Sequence, residues 1–362
     1  MTNPIKMQPD CCGEQEVPRR TFLKSTAIAT IGSACAVPLF NLSSLAADEL
    51  PKASSAAVAS KPASSTPETL VKALYDSCTP KQRSEICLDW DHQDKQRGLL
   101  RTFVANNWQI TPYELNDDYY TKEQRKLVRE IFKGIIQPDW LSRIDKQLKD
   151  DAGGFGFDQS LAIFGKPGED KFEFVLTGRH MTLRCDGNST DHVAFGGPIF
   201  YGHAADGFNE KPDHPGNVFW PQAVAANKVY QMLDARQREA SLMDRLIPEK
   251  NVHFRGPEGK LPGIPVKQLS GDQKAELQTV LAKLIEPYRQ TDRDEALECL
   301  KAQGGLEKCS LAFFKEGDLG NDQVWDSWRL EGPSFVWAFR GSPHVHVWVN
   351  IADDHRVKTN SG

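Results

Sequence analysis

The sequence predicts an α+β fold, with a mixed or antiparallel sheet built from two separated hairpins and flanked by helices. Three observations carry this expectation. First, a capping residue stands three positions before a glutamine four times, at Thr79/Gln82, Thr121/Gln124, Asp234/Gln237 and Ser270/Gln273. In that arrangement the two side chains satisfy each other's end of a first helical turn. Second, apolar residues follow at helical spacing, as in Leu127, Ile131 and Ile135, or Leu277, Val280, Leu281 and Leu284. Third, two alternating segments each carry a turn signal: Asp186-Gly187-Asn188 in one, Arg340-Gly341-Ser342-Pro343 in the other.

Read in order, residues 1–46 have the form of a twin-arginine signal peptide. Arg19-Arg20-Thr21-Phe22-Leu23-Lys24 precedes a mildly apolar stretch and the small residues Ser44-Leu45-Ala46-Ala47. Lys24, Ser33, Pro38 and Asn41 make that stretch too polar to remain in a bilayer, so no stable membrane anchor is expected in the mature chain. Residues 47–67 are rich in Ala, Ser and Pro without periodicity and read as a tether. The remainder, 68–355, is long enough for one globular domain, helical to about residue 151 and sheet-bearing after it, with 356–362 as a tail. Helices are expected over 68–77, 79–89, 121–136, 138–150, 221–246 and 270–303. Strands are expected over 161–164, 172–176, 180–185, 193–200, 335–339 and 344–351. The helix starts recur at irregular spacing and share only the cap, so they do not define a solenoid repeat.

Composition narrows the function classes. Net charge is −5, and the mature region has no basic block, which excludes nucleic acid as a partner. The expected partners are the twin-arginine export machinery and a small-molecule substrate, and the expected location is the periplasm or the extracellular space. Export permits disulfides, and Cys78/Cys87 and Cys299/Cys309 are the plausible pairs, with Cys185 left as a small buried apolar residue. No Cys-x-x-Cys supports a thiolate zinc site.

Three histidines carry the chemistry. On a strand, His344, His346 and Trp348 share one face while Val345, Val347, Val349 and Ile351 cover the other. Two imidazoles two residues apart on a strand stand about 7 Å apart at the backbone and can converge on one ion. His180, in the first hairpin, is the candidate third ligand. Three imidazoles with an open position suit one divalent transition metal: zinc, copper or iron. Glu173 and Glu331 are the candidate general bases, or partners orienting a histidine. The Gly-rich segment 196–203 and His214 are weaker candidates for a lid or a fourth ligand.

The motifs Gly178-Arg179-His180-Met181, Leu233-Asp234-Ala235-Arg236-Gln237-Arg238, Arg329-Leu330-Glu331-Gly332-Pro333 and His344-Val345-His346 resemble, in their order, an uncharacterised secreted-protein family, number 3500 of the domains of unknown function. The resemblance spans most of the mature chain and implies export and the site's location. Arg179 stands where that family has the first of two histidines, so His180 alone is carried over from that motif; Asn350 replaces an arginine often found after His-x-His. The leading expectation is an exported metal-dependent enzyme. The alternatives are a non-catalytic periplasmic metal- or ligand-binding protein and a metal-free structural domain.

Replacing Arg19 and Arg20 by lysine is expected to leave full-length precursor in the cytoplasm, read by fractionation and immunoblot. Mature-sized protein outside the cytoplasm from that variant would refute the export assignment.

Overall fold

The computed structural model describes residues 66–360, except 170, 188–191, 205–212, 321 and 323. The expected signal segment and most of the tether lie outside the described residues. Thr66 and Pro67, read as tether, open the first helix: Thr66 is its N-cap and Pro67 takes its first turn, where the missing N–H is no loss. The helices are α1 (Pro67–Ser77), α2 (Pro80–Ile86), α3 (Lys122–Ile135), α4 (Leu141–Ala152), α5 (Trp220–Met232), α6 (Ala235–Ser241), α7 (Gly271–Ile285) and α8 (Gln290–Ala302). All four expected capping boxes form. The two long helices expected over 221–246 and 270–303 are each broken, the first where Asp234 caps α6 and the second around Pro287, which cannot continue a helix.

Apart from a two-stranded ribbon of Gln93–Asp94 and Gly98–Leu99, the strands are β1 (Cys87–Leu88), β2 (Gln159–Gly165), β3 (Phe172–Gly178), β4 (Met181–Cys185), β5 (Ile199–His203), β6 (Leu242–Met243), β7 (Ile264–Pro265), β8 (Ser310–Phe314), β9 (Ser327–Glu331), β10 (Phe335–Arg340) and β11 (Val345–Ile351). They form one eleven-stranded mixed sheet in the order β1-β2-β3-β4-β5-β11-β10-β9-β8-β6, with β7 on β8. The expectation of α+β holds, but a sheet built from two separated hairpins does not. The β10–β11 hairpin forms as expected. In the other region β4 turns back tightly on β3 through Arg179-His180, and the Asp186 segment opens a longer connection to β5. The fully buried β8 lacks clean polar alternation, which is why it escapes a period-two reading, whereas the five residues of β9, Ser327-Trp328-Arg329-Leu330-Glu331, do alternate.

One sheet face is apolar and packs under the helices; Leu161, Phe174, Trp328, Leu330, Trp337 and Val347 lie in that core. The opposite face is far more polar, with Glu173, Arg184, Arg329, Glu331, Arg340 and His346. Loops around 90–110 and 247–256 cover it, and Asn360 binds back to Thr102.

The element order repeats. A helix, a capped short helix and an edge strand (α1-α2-β1; α5-α6-β6) lead to a capped long helix, a further helix and four sheet strands (α3-α4-β2 to β5; α7-α8-β8 to β11). Gly153-Gly154 and Ser160-Leu161-Ala162-Ile163-Phe164 in the first half answer Gly304-Gly305 and Ser310-Leu311-Ala312-Phe313-Phe314 in the second. Register agrees: Ala162 pairs with Val175 as Ala312 pairs with Arg329, and Phe164 with Glu173 as Phe314 with Ser327. The capping glutamines pair within each half. Gln82 and Gln124 exchange amide hydrogen bonds of 3.0 Å, and Gln237 and Gln273 exchange bonds of 3.0 and 2.8 Å. The four helix starts are therefore two pairs in a duplicated fold.

All five cysteines among the described residues are free thiols, so the two expected bridges are absent from the structure. Cys309 lies against Gln303 and Gly305, and Cys78 donates to the Leu74 carbonyl. Among the described residues, no helix is long and apolar enough to cross a membrane.

Gln124 caps α3 and donates to Ser77 and Gln82 while almost fully buried. Gln124→Ala is expected to cost about 2–4 kcal/mol in urea unfolding, through unmet hydrogen bonds and a small cavity; a loss within the error of the wild type would refute the paired-cap account.

Candidate metal centre

Three strand ends meet at one margin of the sheet. Met181 at the start of β4 pairs with Tyr201 on β5, and Gly202 on β5 pairs with His346 on β11. His180 sits in the tight turn before β4 with φ of 51°, a left-handed conformation that a non-glycine residue adopts at a cost. From there its ring reaches across β5 toward β11. Gly202 makes the crossing feasible: a Cβ there would stand 3.3 Å from His180 Cδ2 and 2.4 Å from the Val345 carbonyl oxygen.

The three imidazoles converge. His346 Nε2 lies 3.0 Å from His344 Nε2 and 3.1 Å from His180 Nε2. Ring centroids are 5.0 Å apart for His180–His344 and His180–His346, and 4.7 Å for His344–His346. All three residues are at most 2 % exposed. Phe200 stands edge-on to His346 at 5.2 Å. Among the described residues these three form the one grouping of metal-ligand type.

Two carboxylates that sequence reasoning missed hold the rings. Asp151, in the last turn of α4, approaches His180 Nδ1 at 2.5 Å and accepts from Arg179 Nε at 2.9 Å. Burial pushes the Asp151 carboxyl up, but His180 and Arg179 outweigh it and hold it below the ordinary carboxylate value. Arg179 thus steadies the ligand's partner. A carboxylate at a helix C-terminus opposes the helix dipole, so its placement there depends on those two partners. Gly153, left-handed at φ of 87°, ends the helix directly beyond it. Glu249, in the loop after β6, meets His346 Nδ1 at 2.9 Å and Arg340 Nη1 at 3.3 Å. Neither carboxylate is near its own histidine partner in sequence, so no local spacing could have disclosed them.

Burial, reinforced by Arg340 and the two other imidazoles, puts the His346 pKa well below its ordinary value. The ring is therefore neutral at physiological pH. With Nδ1–H donated to Glu249, its Nε2 presents a lone pair to the centre. Asp151 faces His180 Nδ1 as Glu249 faces His346 Nδ1.

The other expected site residues lie elsewhere. Glu173 is buried between Arg184 Nη1 at 2.7 Å and Arg101 Nη1 at 3.0 Å. Glu331 pairs with Arg255 and, at 3.4 Å, with Arg329 Nε. Both carboxylates are on the polar sheet face, but guanidinium groups occupy them. His203 is on β5 paired with Val345, and His214 Nδ1 accepts from Gly216 N at 3.0 Å within a local turn. Neither belongs to the three-imidazole group. Segment 196–203 is short 3-10 helix and strand, not a lid.

A family model described as "Protein of unknown function (DUF3500)" matches residues 61–355. No curated protein and no solved structure matches the chain.

Glu173→Ala leaves two buried guanidinium groups without their shared partner. It is expected to cost about 3–5 kcal/mol in denaturant unfolding. A fully stable Glu173→Ala protein would show that this carboxylate is free for chemistry.

Proposed function

We propose, for a chain that belongs to the DUF3500 family, an exported metal-dependent enzyme acting on a small organic substrate. One divalent transition ion, zinc, copper or iron, is held by His180, His344 and His346. The observation that carries this reading is the convergence of three Nε2 atoms, two of them belonging to rings whose Nδ1 atoms face carboxylates. Lone pairs about 3 Å apart repel unless a cation lies among them. A proton bridges one pair of nitrogens and leaves the third unmet, whereas a metal ion meets all three. The fit is close, because imidazole nitrogens bound at about 2.0–2.1 Å stand about 2.9–3.4 Å apart for angles between about 90° and tetrahedral.

Asp151 and Glu249 then hold the tautomer and aim of two ligands, the role carboxylates take behind metal-binding histidines. Three protein donors leave a position for water or substrate, which is the catalytic pattern rather than the closed structural one. A bound ion would supply Lewis acidity, an activated water or a redox step. Glu173 and Glu331 serve the fold in this reading. Export through the twin-arginine route, which carries folded passengers, fits a metal loaded before translocation. The burial of all three rings is the observation that favours the second reading, a non-catalytic metal-binding protein.

Protein purified from its native compartment is expected to hold about one equivalent of transition metal by elemental analysis, lost in His346→Ala. Asp151→Asn is expected to weaken metal binding about 10–100-fold. Absence of stoichiometric metal removes both readings. In the cobalt-substituted protein, visible bands that shift with azide favour the enzyme; bands that do not shift favour the binder.

A further inference from the structure

On the polar sheet face, strands β8 to β10 and the loop after β6 border a cavity of about 250 Å³. Phe314 and Ala338 line it from the sheet, and Leu246, Ile247 and Pro248 give it an apolar wall from the loop.

The duplication shows what this place holds where the chain fills it. By register, Phe314 stands where Phe164 stands in the first half, Arg329 where Val175 does, and Ala338 where Arg184 does. In the first half Phe164 and Val175 lie in a closed apolar cluster with Leu100, Trp108 and Ile110. Arg184 adds a long, fully buried side chain, held by Glu173 and by the Pro198 and Phe103 carbonyls. In the second half Ala338 ends at Cβ, and open volume borders Phe314 and Ala338. The filling of the first half names the chemistry that suits such a place: an indole and two branched aliphatic side chains, all uncharged.

The charged residues on the border do not ask for a charged ligand, because each is engaged. Glu249 faces His346 Nδ1 and Arg340 Nη1, and Glu316 accepts from Leu246 N at 2.7 Å and pairs with Arg245. Arg329 Nη2 donates to the Asn251 carbonyl at 2.6 Å, while its Nε and Nη1 are closed off from accessible space. Two carboxylates and two guanidinium groups also balance. A charged ligand would therefore give up its water without gaining an unpaired partner, which is costly.

We propose that this cavity binds a neutral apolar molecule about the size of one substituted aromatic ring. It is a site beside the metal centre, and it stands whether or not the histidines hold an ion. An apolar cavity of about 150 Å³ takes benzene, so the larger volume here accommodates a ring with a short substituent. Removal of the ring from water against Phe314, Ala338, Leu246 and Ile247 drives association, as in ligand sites whose walls are mainly apolar.

Calorimetric titration of the purified protein with toluene, benzoate and benzylamine tests this. Toluene is expected to bind with Kd below about 1 mM, and each of the two ions at least about tenfold more weakly, since each would bury an unpaired charge. Ala338→Leu, which fills the sheet side of the cavity, and Leu246→Trp, in its wall, are each expected to weaken toluene at least about tenfold. Leu246 is only half-buried, so its variant carries the test if Ala338→Leu does not fold. Stripping metal with a chelator is expected to leave toluene binding unchanged, so loss of the metal reading and loss of this one are distinguishable. No binding in toluene-saturated buffer, equal or tighter binding of either ion, undiminished binding to the folded variants, or loss of binding on chelation overturns it.

Discussion

The antiparallel pairing of β5 with β11 is the constraint on which the rest depends. It is the seam where two halves of like element order become one sheet, so it sets the register between turns that are remote in sequence. Because side chains alternate along a strand, a shift of one residue at this seam would send His346 to the helix-covered face, into a core of leucine, phenylalanine and tryptophan. The hydrophobic alternation of Val345, Val347, Val349 and Ile351 under the helices therefore holds the imidazole on the opposite side. Packing on one face specifies chemistry on the other. Gly202 completes the arrangement, since at that point on β5 a side chain would occupy the path of the His180 ring.

What was legible in the sequence follows from how local each signal is. A capping box needs four consecutive residues, and all four were readable and correct. The β10–β11 hairpin and the histidines on it were readable because alternation and a turn signal are also short-range. The pairing of β4 with β3 was not, because Asp186-Gly187 is a stronger turn signal by composition than Arg179-His180, and the latter turns only with His180 in a left-handed conformation. Asp151 and Glu249 were invisible for a different reason. They reach their histidines from α4 and from the loop after β6, and nothing in their own neighbourhoods marks them. The arginines that occupy Glu173 lie on another strand and in a distant loop, so a carboxylate near the proposed site read as available when it was not. The duplication was partly in view: Ser160-Leu161-Ala162 and Ser310-Leu311-Ala312 are the same tripeptide. A repeat with only such short islands becomes clear once the strand registers coincide.

Duplication also explains where novelty sits. At the turn between β3 and β4 in the first half and between β9 and β10 in the second, His180 has Ser334 as its counterpart: the dipeptides Arg179-His180 and Pro333-Ser334 each follow a glycine, Gly178 or Gly332, and lead into the next strand. Ser334 keeps a purely local role, bonding Gln303 near the end of α8 and the Ala352 carbonyl. His180 is held by Asp151 near the end of α4. The supporting scheme is the same, a polar residue by a helix C-terminus holding a polar residue of the turn. In the first half that scheme carries an imidazole and a carboxylate, which can bind a cation; in the second it carries a hydroxyl and an amide, which close upon themselves.

The same asymmetry governs the polar face. Buried guanidinium groups are costly unless paired, and in the first half Arg184 is fully paired, donating to Glu173 and to the Pro198 and Phe103 carbonyls. Arg329 of the second half is paired less fully: it stands where the first half has a valine, takes one carbonyl at hydrogen-bond distance and a looser approach to Glu331, and keeps a buried Nη1 without a hydrogen-bond partner. If stability alone had shaped this place, the apolar filling seen in the first half would be the cheaper solution, since well-packed hydrophobic residues match or exceed buried ion pairs in stability. The cavity lies on the half whose last hairpin carries two of the three converging imidazoles, and Glu249 touches both. The two halves thus share a scaffold and differ in how the place beside it is filled: a closed apolar cluster over Val175 in one, a guanidinium beside open volume in the other.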